Sequence, residues 1–471
     1  MSDRFDVVIL GGGPAGEVAL NTLLKAGKRV ALIEKEVLGG ECSNWGCIPS
    51  KTLLRPTELK GKCTRAAGVL TPALDFTRLA AYRDYMVSSH DDARRVTRYE
   101  DRGVTVFKDE GRIDGPGRVA VNGRVLETDA IIVATGAEAV TPPIPGLVEA
   151  GFWTNREATD LTEIPESAVV IGGGAVGCEL AQFLARFGAR VTIVQGPPRL
   201  ADRENPQIGE LLAELLEGDG VELKLGRRAQ AVRLEDGERV VTLDDGSEVR
   251  GEVLLVATGR RPRTKDIGLE SVGVEPSPRG ISVDEQCRAA EGVWAIGDVT
   301  GIAMFTHVGK YQGRIAAAGI LGMPMTADYR AVPRVMFTDP EIAAVGMTEA
   351  EATERGYHIH TATIDLPTSI ARPYTFQEEP KGTLGIIVDA DREVLLGAWA
   401  VAPLAGEWIH QAVLAIRAEI PIAVLKDTIA QFPSFSEGFG AALRALPSEE
   451  VHQMMDHQAH PMLSSDMAET R

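Results

Sequence analysis

Asp6-Val7-Val8-Ile9-Leu10-Gly11-Gly12-Gly13-Pro14-Ala15-Gly16 is the stretch from which the rest of the chain can be read. A short apolar, β-branched run is followed at once by G-x-G-x-x-G, then by an amphipathic helix pattern to about Lys25 and a second apolar run, Val30–Ile33. This is strand, turn, helix, strand, the opening of a parallel sheet. Gly11 permits the tight turn, Gly13 lets the backbone approach a pyrophosphate, and Gly16 lets the helix lie close on the strand. The helix N-terminus offers unpaired N–H groups and the positive end of its dipole to phosphate. Glu34 ends the second strand, where a carboxylate accepts hydrogen bonds from ribose hydroxyls.

The device recurs. Ala168–Ile171 reads as a strand, Gly172-Gly173-Gly174-Ala175-Val176-Gly177 as the turn into a helix, and Arg190–Val194 as the next strand. Gly172, Gly174 and Gly177 repeat the roles of Gly11, Gly13 and Gly16, so two dinucleotide sites are expected. Gln195 stands where Glu34 stands in the first copy. A carboxylate there would bind a free ribose 2′-OH and repel a 2′-phosphate. Gln195 does neither strongly, and Arg199 downstream reads equally as a phosphate contact or a solvated charge, so NADH and NADPH both stay open. Ala134-Thr135-Gly136 follows the apolar run Ala130–Val133, and Ala257-Thr258-Gly259 echoes it after Val253–Val256. Val293–Ile296 leads into Gly297-Asp298.

The 471 residues are 44% hydrophobic and 25% charged, which fits a globular protein of about three domains. The net charge of −18 gives no global attraction to nucleic acid or anionic lipid. No run of about 18 uncharged apolar residues suggests a membrane span, and the N-terminal residues carry no signal-peptide pattern. Five cysteines are too few to staple a secreted chain of this size, so a cytoplasmic protein is expected.

Two of them form the sharpest local signal: Gly39-Gly40-Glu41-Cys42-Ser43-Asn44-Trp45-Gly46-Cys47-Ile48-Pro49-Ser50-Lys51. Cysteines separated by four residues fit one short turn or helical segment and can bridge. A thiolate at a helix N-terminus is acidified, and attacks disulfides or donates charge to a flavin. The competing readings are two buried thiols or half a zinc site. Zinc needs further Cys/His pairs at ligand spacing, and Cys63 does not supply them, so no metal is expected. Cys63, Cys178 and Cys287 read as buried hydrophobes.

These motifs, GGGPAG at 11–16, GGECSNWGCIPSK at 39–51, GGGAVGCE at 172–179, ATGRRP at 257–262, AIGDV at 295–299 and VMFTDPEIAAVGMTE at 335–349, resemble the pyridine-nucleotide disulfide oxidoreductase family along nearly the whole chain. The resemblance implies an α/β fold of two Rossmann-type domains plus a C-terminal α+β dimerisation domain. The expected divisions are 1–147 and 271–330 for FAD binding, 148–270 for NAD(P)H, 331–447 for dimerisation, and a polar tail at 448–471. Pro-rich Ala139–Leu147 reads as a linker. The resemblance also implies FAD on Gly11, Gly13, Gly16 and Glu34, with Gly136, Asp298 and His307 near it, and NADH or NADPH on Gly172, Gly174, Gly177, Gln195 and Gly259. Lys51 would lie by the flavin and pair with Glu179. Hydride would pass from nicotinamide to flavin and electrons on to a Cys42–Cys47 disulfide, Cys47 being the flavin-proximal thiolate and Cys42 the interchange thiol. A homodimer would share residues between its two active sites.

Disulfide-reducing members carry His-Pro near the C-terminus and a Glu shortly after. Here the stretch is Gln431-Phe432-Pro433-Ser434-Phe435-Ser436-Glu437, so Phe432 takes the place of the His while Glu437 remains. An imidazole with a pKa near ~6.5 shuttles protons at neutral pH and a phenyl ring does not, a loss typically on the order of 10²–10⁴ in rate. The tail histidines His452, His457 and His460 read as structural or solvated. Two enzymatic readings follow: a reductase of disulfide-type acceptors, or a quinone or dye reductase or transhydrogenase working from the flavin directly. A non-catalytic scaffold is disfavoured by three intact chemical motifs.

Overall fold

The computed structural model describes residues 3–447, so the tail with His452, His457 and His460 lies outside the described residues. β1 (Arg4–Leu10), α1 (Pro14–Lys25) and β2 (Val30–Ile33) form the first unit, with Val7 paired to Val30 in parallel. α2 (Gly40–Asn44) and α3 (Cys47–Arg65) carry the cysteines, and α4 (Phe76–Met86) packs on α3. The charged segment from Ser50 to Tyr99 is a series of separate helices, the first beginning at Cys47.

β3 (Thr105–Phe107) and β4 (Arg124–Val133) extend the first sheet. β4 starts six residues before the apolar run at Ala130, because its first half alternates exposed and buried residues against a hairpin partner, Arg118–Val121. After a short helix, α5 (Asn155–Thr159), the second unit follows: β5 (Ser167–Ile171), α6 (Ala175–Arg186), β6 (Arg190–Gln195), β7 (Glu222–Leu225) and β8 (Val253–Val256). Its sheet runs β7-β6-β5-β8, all parallel. The chain then returns to the first sheet with β9 (Arg288–Ala290) and β10 (Val293–Ala295), giving the path β9-β10-β4-β1-β2-β3. The central strands are buried on both faces, as parallel strands between helical layers must be.

α7 (Thr306–Ile320) closes one face of the first sheet. It crosses α1 where both helices have small residues: a Cβ at Gly313 would stand 2.6 Å from the Ala15 carbonyl oxygen. That approach carries Thr306, the first residue of α7, to the N-terminal end of α1.

The last sheet is antiparallel: β11 (Pro333–Met336), β12 (Glu341–Gly346), β13 (Ile359–Asp365), β14 (Thr383–Asp389) and β15 (Val394–Ala402), in the order β11-β12-β15-β14-β13. Behind it lie the short helices Ala405–Trp408, His410–Arg417 and Ile422–Lys426. α8 (Glu437–Arg444) ends the described chain. Among the described residues no helix is long and apolar enough to cross a membrane.

Candidate active site

The two glycine-rich turns have one geometry. Gly11 and Gly172 lie at φ 107° and 113°, a region L side chains avoid. A Cβ at Gly16 would stand 2.1 Å from the Gly11 carbonyl oxygen, and one at Gly177 would stand 2.0 Å from that of Gly172. Gly16 and Gly177 are therefore packing positions. No side chain caps α1 or α6, so their first-turn N–H groups are left for a ligand.

The α1 turn opens into a cavity of about 890 Å³ whose wall includes Gly11, Gly13, Glu34, Gly136 and Asp298, together with Cys42 and Thr306. Glu34 is fixed across the turn, one carboxylate oxygen accepting the Gly12 N–H at 2.8 Å and the other the Glu36 N–H at 2.7 Å. Burial pushes the Asp298 carboxyl above its ordinary value, against the pull of Arg260. A long cradle with an open helix N-terminus at one end and a fixed carboxylate beside it fits FAD, whose ring system brings hydride-accepting chemistry to the sulfur pair.

The cysteine segment is tied to this turn. The Gly39 N–H donates to the Gly12 carbonyl at 2.8 Å, and a Cβ at Gly40 would lie 2.8 Å from the Gly13 Cα. Glu41 holds the segment from the other side. Burial pushes its carboxyl up, but hydrogen bonds from Arg156 (2.8 Å) and Asn155 (2.9 Å) on α5 outweigh it and keep the group an anion. All five cysteines are free thiols, and Cys63 is half-buried on α3 where full burial was expected.

Cys47 is the first residue of α3, at the positive end of a 19-residue helix. The Cys42 thiol donates to its sulfur, which chiefly lowers the Cys47 pKa to about 6 against the cost of burial; Thr306 and Lys51 add to the lowering. Thr306 Oγ1 lies 3.3 Å from the sulfur. The same bond, with burial, pushes the Cys42 thiol up. One proton is thus shared unequally: Cys47 holds the charge and Cys42 the hydrogen. Lys51, one turn along α3, donates to Glu179 at 2.8 Å, and the second oxygen of Glu179 accepts the Phe337 N–H at 2.8 Å. A second cavity of about 370 Å³ adjoins Cys47, walled by Ile48, Pro56, Leu79, Tyr82 and Met86, with Lys51 and Arg55 on it. The sulfur pair therefore stands between two cavities.

Other expected residues fall elsewhere. His307 does not line the large cavity. Its Nε2 meets the Pro333 carbonyl at 2.9 Å and its ring stacks on Phe305, while burial holds its pKa below the ordinary value. Glu437 accepts the Ser434 N–H at 2.9 Å, and Phe432 is 72% exposed. Gly259, at φ 124°, accepts the Val140 N–H through its carbonyl. Gln195 is buried, its Oε1 accepting the Gly173 N–H at 2.7 Å as Glu34 does for Gly12, and its Nε2 directed at the Arg199 carbonyl and Asp202. Among the described residues no cluster of His, Cys, Asp and Glu could hold a metal ion. Thr306, Arg156 and Asn155 were not legible as site residues, because each lies more than a hundred residues from the cysteines.

The pattern of the family described as pyridine nucleotide-disulphide oxidoreductase matches residues 5–313, and that of its dimerisation domain matches residues 332–443. The chain belongs to this family. It is 33% identical over 448 residues to a mercuric reductase of Staphylococcus aureus, covering 93% of this chain and 82% of the relative. To a dihydrolipoyl dehydrogenase of Thermus scotoductus it is 34% identical over 460 residues, covering 95% and 98%. Among solved structures it is similar to the Cu(II) complex of the HOCl-induced flavoprotein disulfide reductase RclA from Escherichia coli, with TM-score 0.82, 30% identity, and 93% and 99% of the two chains covered. LpdA from Mycobacterium tuberculosis gives TM-score 0.84 at 29% identity, covering 94% and 99%. This oxidoreductase is thus an FAD-dependent NAD(P)H enzyme of the flavoprotein disulfide reductase type.

Proposed function

We propose that this oxidoreductase, as a cytoplasmic homodimer, passes electrons from NADPH to a small disulfide-type acceptor through Cys42 and Cys47. The unequal proton between the two sulfurs carries this reading. FAD, held by Gly11, Gly13, Glu34, Gly136 and Asp298, supplies the relay from the nicotinamide when bound. Lys51, fixed by Glu179, keeps positive charge beside the Cys47 thiolate. Cys42 is the interchange thiol: it gives its proton to Cys47 and attacks one sulfur of the acceptor, whose other sulfur leaves as a thiolate. Cys47 hands that proton to the leaving group and, again a thiolate, attacks Cys42, closing the protein disulfide and releasing the second acceptor sulfur as a thiolate that takes its proton from solvent. With Phe432 in place of an imidazole, no better base is offered on this path among the described residues, and turnover of disulfides is correspondingly slow.

The proposal of NADPH rests on the second turn. Gln195 is neutral and already committed to Gly173 and Arg199, so it presents no anion to a 2′-phosphate. Arg228 lies over Gly196, just past the end of β6, and among the described residues neither it nor Arg199 has a carboxylate at ion-pair distance. Two guanidiniums without an ion-pair partner near the strand end favour a phosphate there, outweighing the single Asp202 carboxylate that Gln195 Nε2 faces at 3.4 Å. Gln195→Glu is expected to lower the ratio of kcat/KM for NADPH over NADH by about tenfold, since one added charge near a phosphate is worth roughly 1–2 kcal/mol. Steady-state assays with both nucleotides check it, and an unchanged ratio contradicts the placement.

A second reading is favoured by the apolar cavity beside Cys47. Ile48, Leu79, Tyr82 and Met86 suit a flat aromatic acceptor such as a quinone, which takes electrons without thiol exchange.

A further inference from the structure

Between the two cysteines the chain presents the indole of Trp45, and two cation-forming side chains pack on that ring. The Arg156 guanidinium carbon lies over the ring 4.1 Å from its centroid, and the His90 imidazole stacks on it at 5.0 Å and 16°. Asp160 joins the stack along its edge: one oxygen accepts Trp45 Nε1–H at 3.1 Å, and the other lies 3.0 Å from His90 Nε2. The Trp45 carbonyl accepts from Asn155 at 2.8 Å and from Thr159 at 3.3 Å, so backbone and side chain are held by the same short segment.

His90 is delivered to this place at a conformational cost. Ser88, Ser89 and His90 lie in succession at φ 53°, 48° and 59°, a left-handed turn of three non-glycine residues. Such residues persist only where the surroundings over-determine them, and they gather at functional sites. His90 Nδ1 is buried without a hydrogen-bond partner, a second departure from what folding alone selects. The charged groups around the ring are Asp160 at its edge and Arg156 on the same indole, itself paired with Glu36 and Glu41. Arg83 of α4 donates to the Thr159 and Leu161 carbonyls and so flanks Asp160 from behind, with Asp84 on its Nε.

We propose that His90 is a positioning residue for the cysteine pair: stacked on Trp45 and sharing Asp160 with it, His90 fixes the loop that sets the hydrogen bond from Cys42 to Cys47. The indole is the lever. Loss of the stack frees Trp45 to move, the loop between the two sulfurs relaxes, and the Cys42 thiol no longer points at Cys47. The Cys47 thiolate then loses its main stabilising partner. The inference rests on the reading of Cys42 and Cys47 as a redox pair next to FAD.

The test follows the long-wavelength thiolate–flavin absorbance of the anaerobically half-reduced holoenzyme against pH, in the parent protein and in His90→Ala and His90→Asn. Asparagine tolerates the left-handed backbone but has no ring to stack. Both variants are expected to raise the band's midpoint by about one pH unit, so that thiolate at pH 6.5 falls about threefold. Ser89→Gly relaxes the turn without touching the ring and is expected to leave the midpoint unchanged while raising Tm. A midpoint within about 0.2 units of the parent in either FAD-replete His90 variant overturns the proposal. If neither variant retains FAD, Asp160→Asn, which weakens the shared carboxylate alone, must give the same shift, and an unchanged midpoint there also overturns it. A parent enzyme with no such band removes the redox reading beneath it.

Discussion

Replacing Cys42 by serine abolishes reduction of disulfide acceptors, with a loss on the order of 10⁴ or more, as expected when the attacking nucleophile of a covalent exchange is removed. A hydroxyl at this position cannot form the mixed disulfide, and its proton is far too tightly held for Cys47 to take. The same substitution leaves NADPH-dependent reduction of a soluble quinone within about threefold of the parent, because quinone reduction needs no sulfur exchange. The comparison separates the two readings of the acceptor. Paired assays on one FAD-replete preparation make the measurement. Equal loss of both activities would contradict the division of labour drawn here, since it would mean that Cys42 is needed before electrons leave the flavin. Equal retention would mean that disulfides are reduced without it.

Phe432→His is expected to raise turnover of a small disulfide such as lipoamide by about 10²-fold, near the lower end of what a positioned general acid–base contributes. The surroundings favour the gain. Phe432 is 72% exposed, so an imidazole enters without opening a core, and Glu437 sits within the same turn. One oxygen of Glu437 caps the Ser434 N–H, and the other has no hydrogen bond among the described residues, leaving it to orient a ring nitrogen. Quinone reduction should not change. If disulfide turnover stays at the parent level, the missing proton shuttle does not limit this enzyme, and the proposed proton path from Cys42 through Cys47 to the leaving thiolate already suffices.

Much of this architecture is written locally. The first and second turns need glycine at fixed offsets for steric reasons, and those offsets can be read without a structure. Gly16 and Gly177 show the packing role that the spacing assigns to the third glycine, each approaching the carbonyl of Gly11 or Gly172 too closely for a side chain. The cysteine pair and the Lys51–Glu179 bond were expected, the second because the resemblance supplied it, and the bond is present at 2.8 Å. What was not legible is what the fold gathers from afar. Thr306 reaches Cys47 only because glycines on α7 let it cross closely over α1. Arg156 and Asn155 reach Glu41 from the short helix that precedes the second sheet. His90 lies at a break between two helices, Phe76–Met86 and Ala93–Glu100, and its turn has no glycine to announce it. Strands β12 and β13 are hard to read in the sequence because their alternation is broken by small and polar residues such as Ala343, Ala344 and Thr361, and the break at Ile409 between two short helices carries no glycine or proline.

The central claim is that Cys47 is the charged member of a sulfur pair in electronic contact with FAD. Anaerobic titration of the purified holoenzyme with NADPH, followed across the visible spectrum at several pH values, tests it most directly. Cys47 carries its proton below about pH 6 and loses it above. A long-wavelength band should therefore appear on addition of about one equivalent of NADPH, weak at pH 5 and near full strength at pH 7.5. A flavin that bleaches completely with no such band at any pH would contradict the claim.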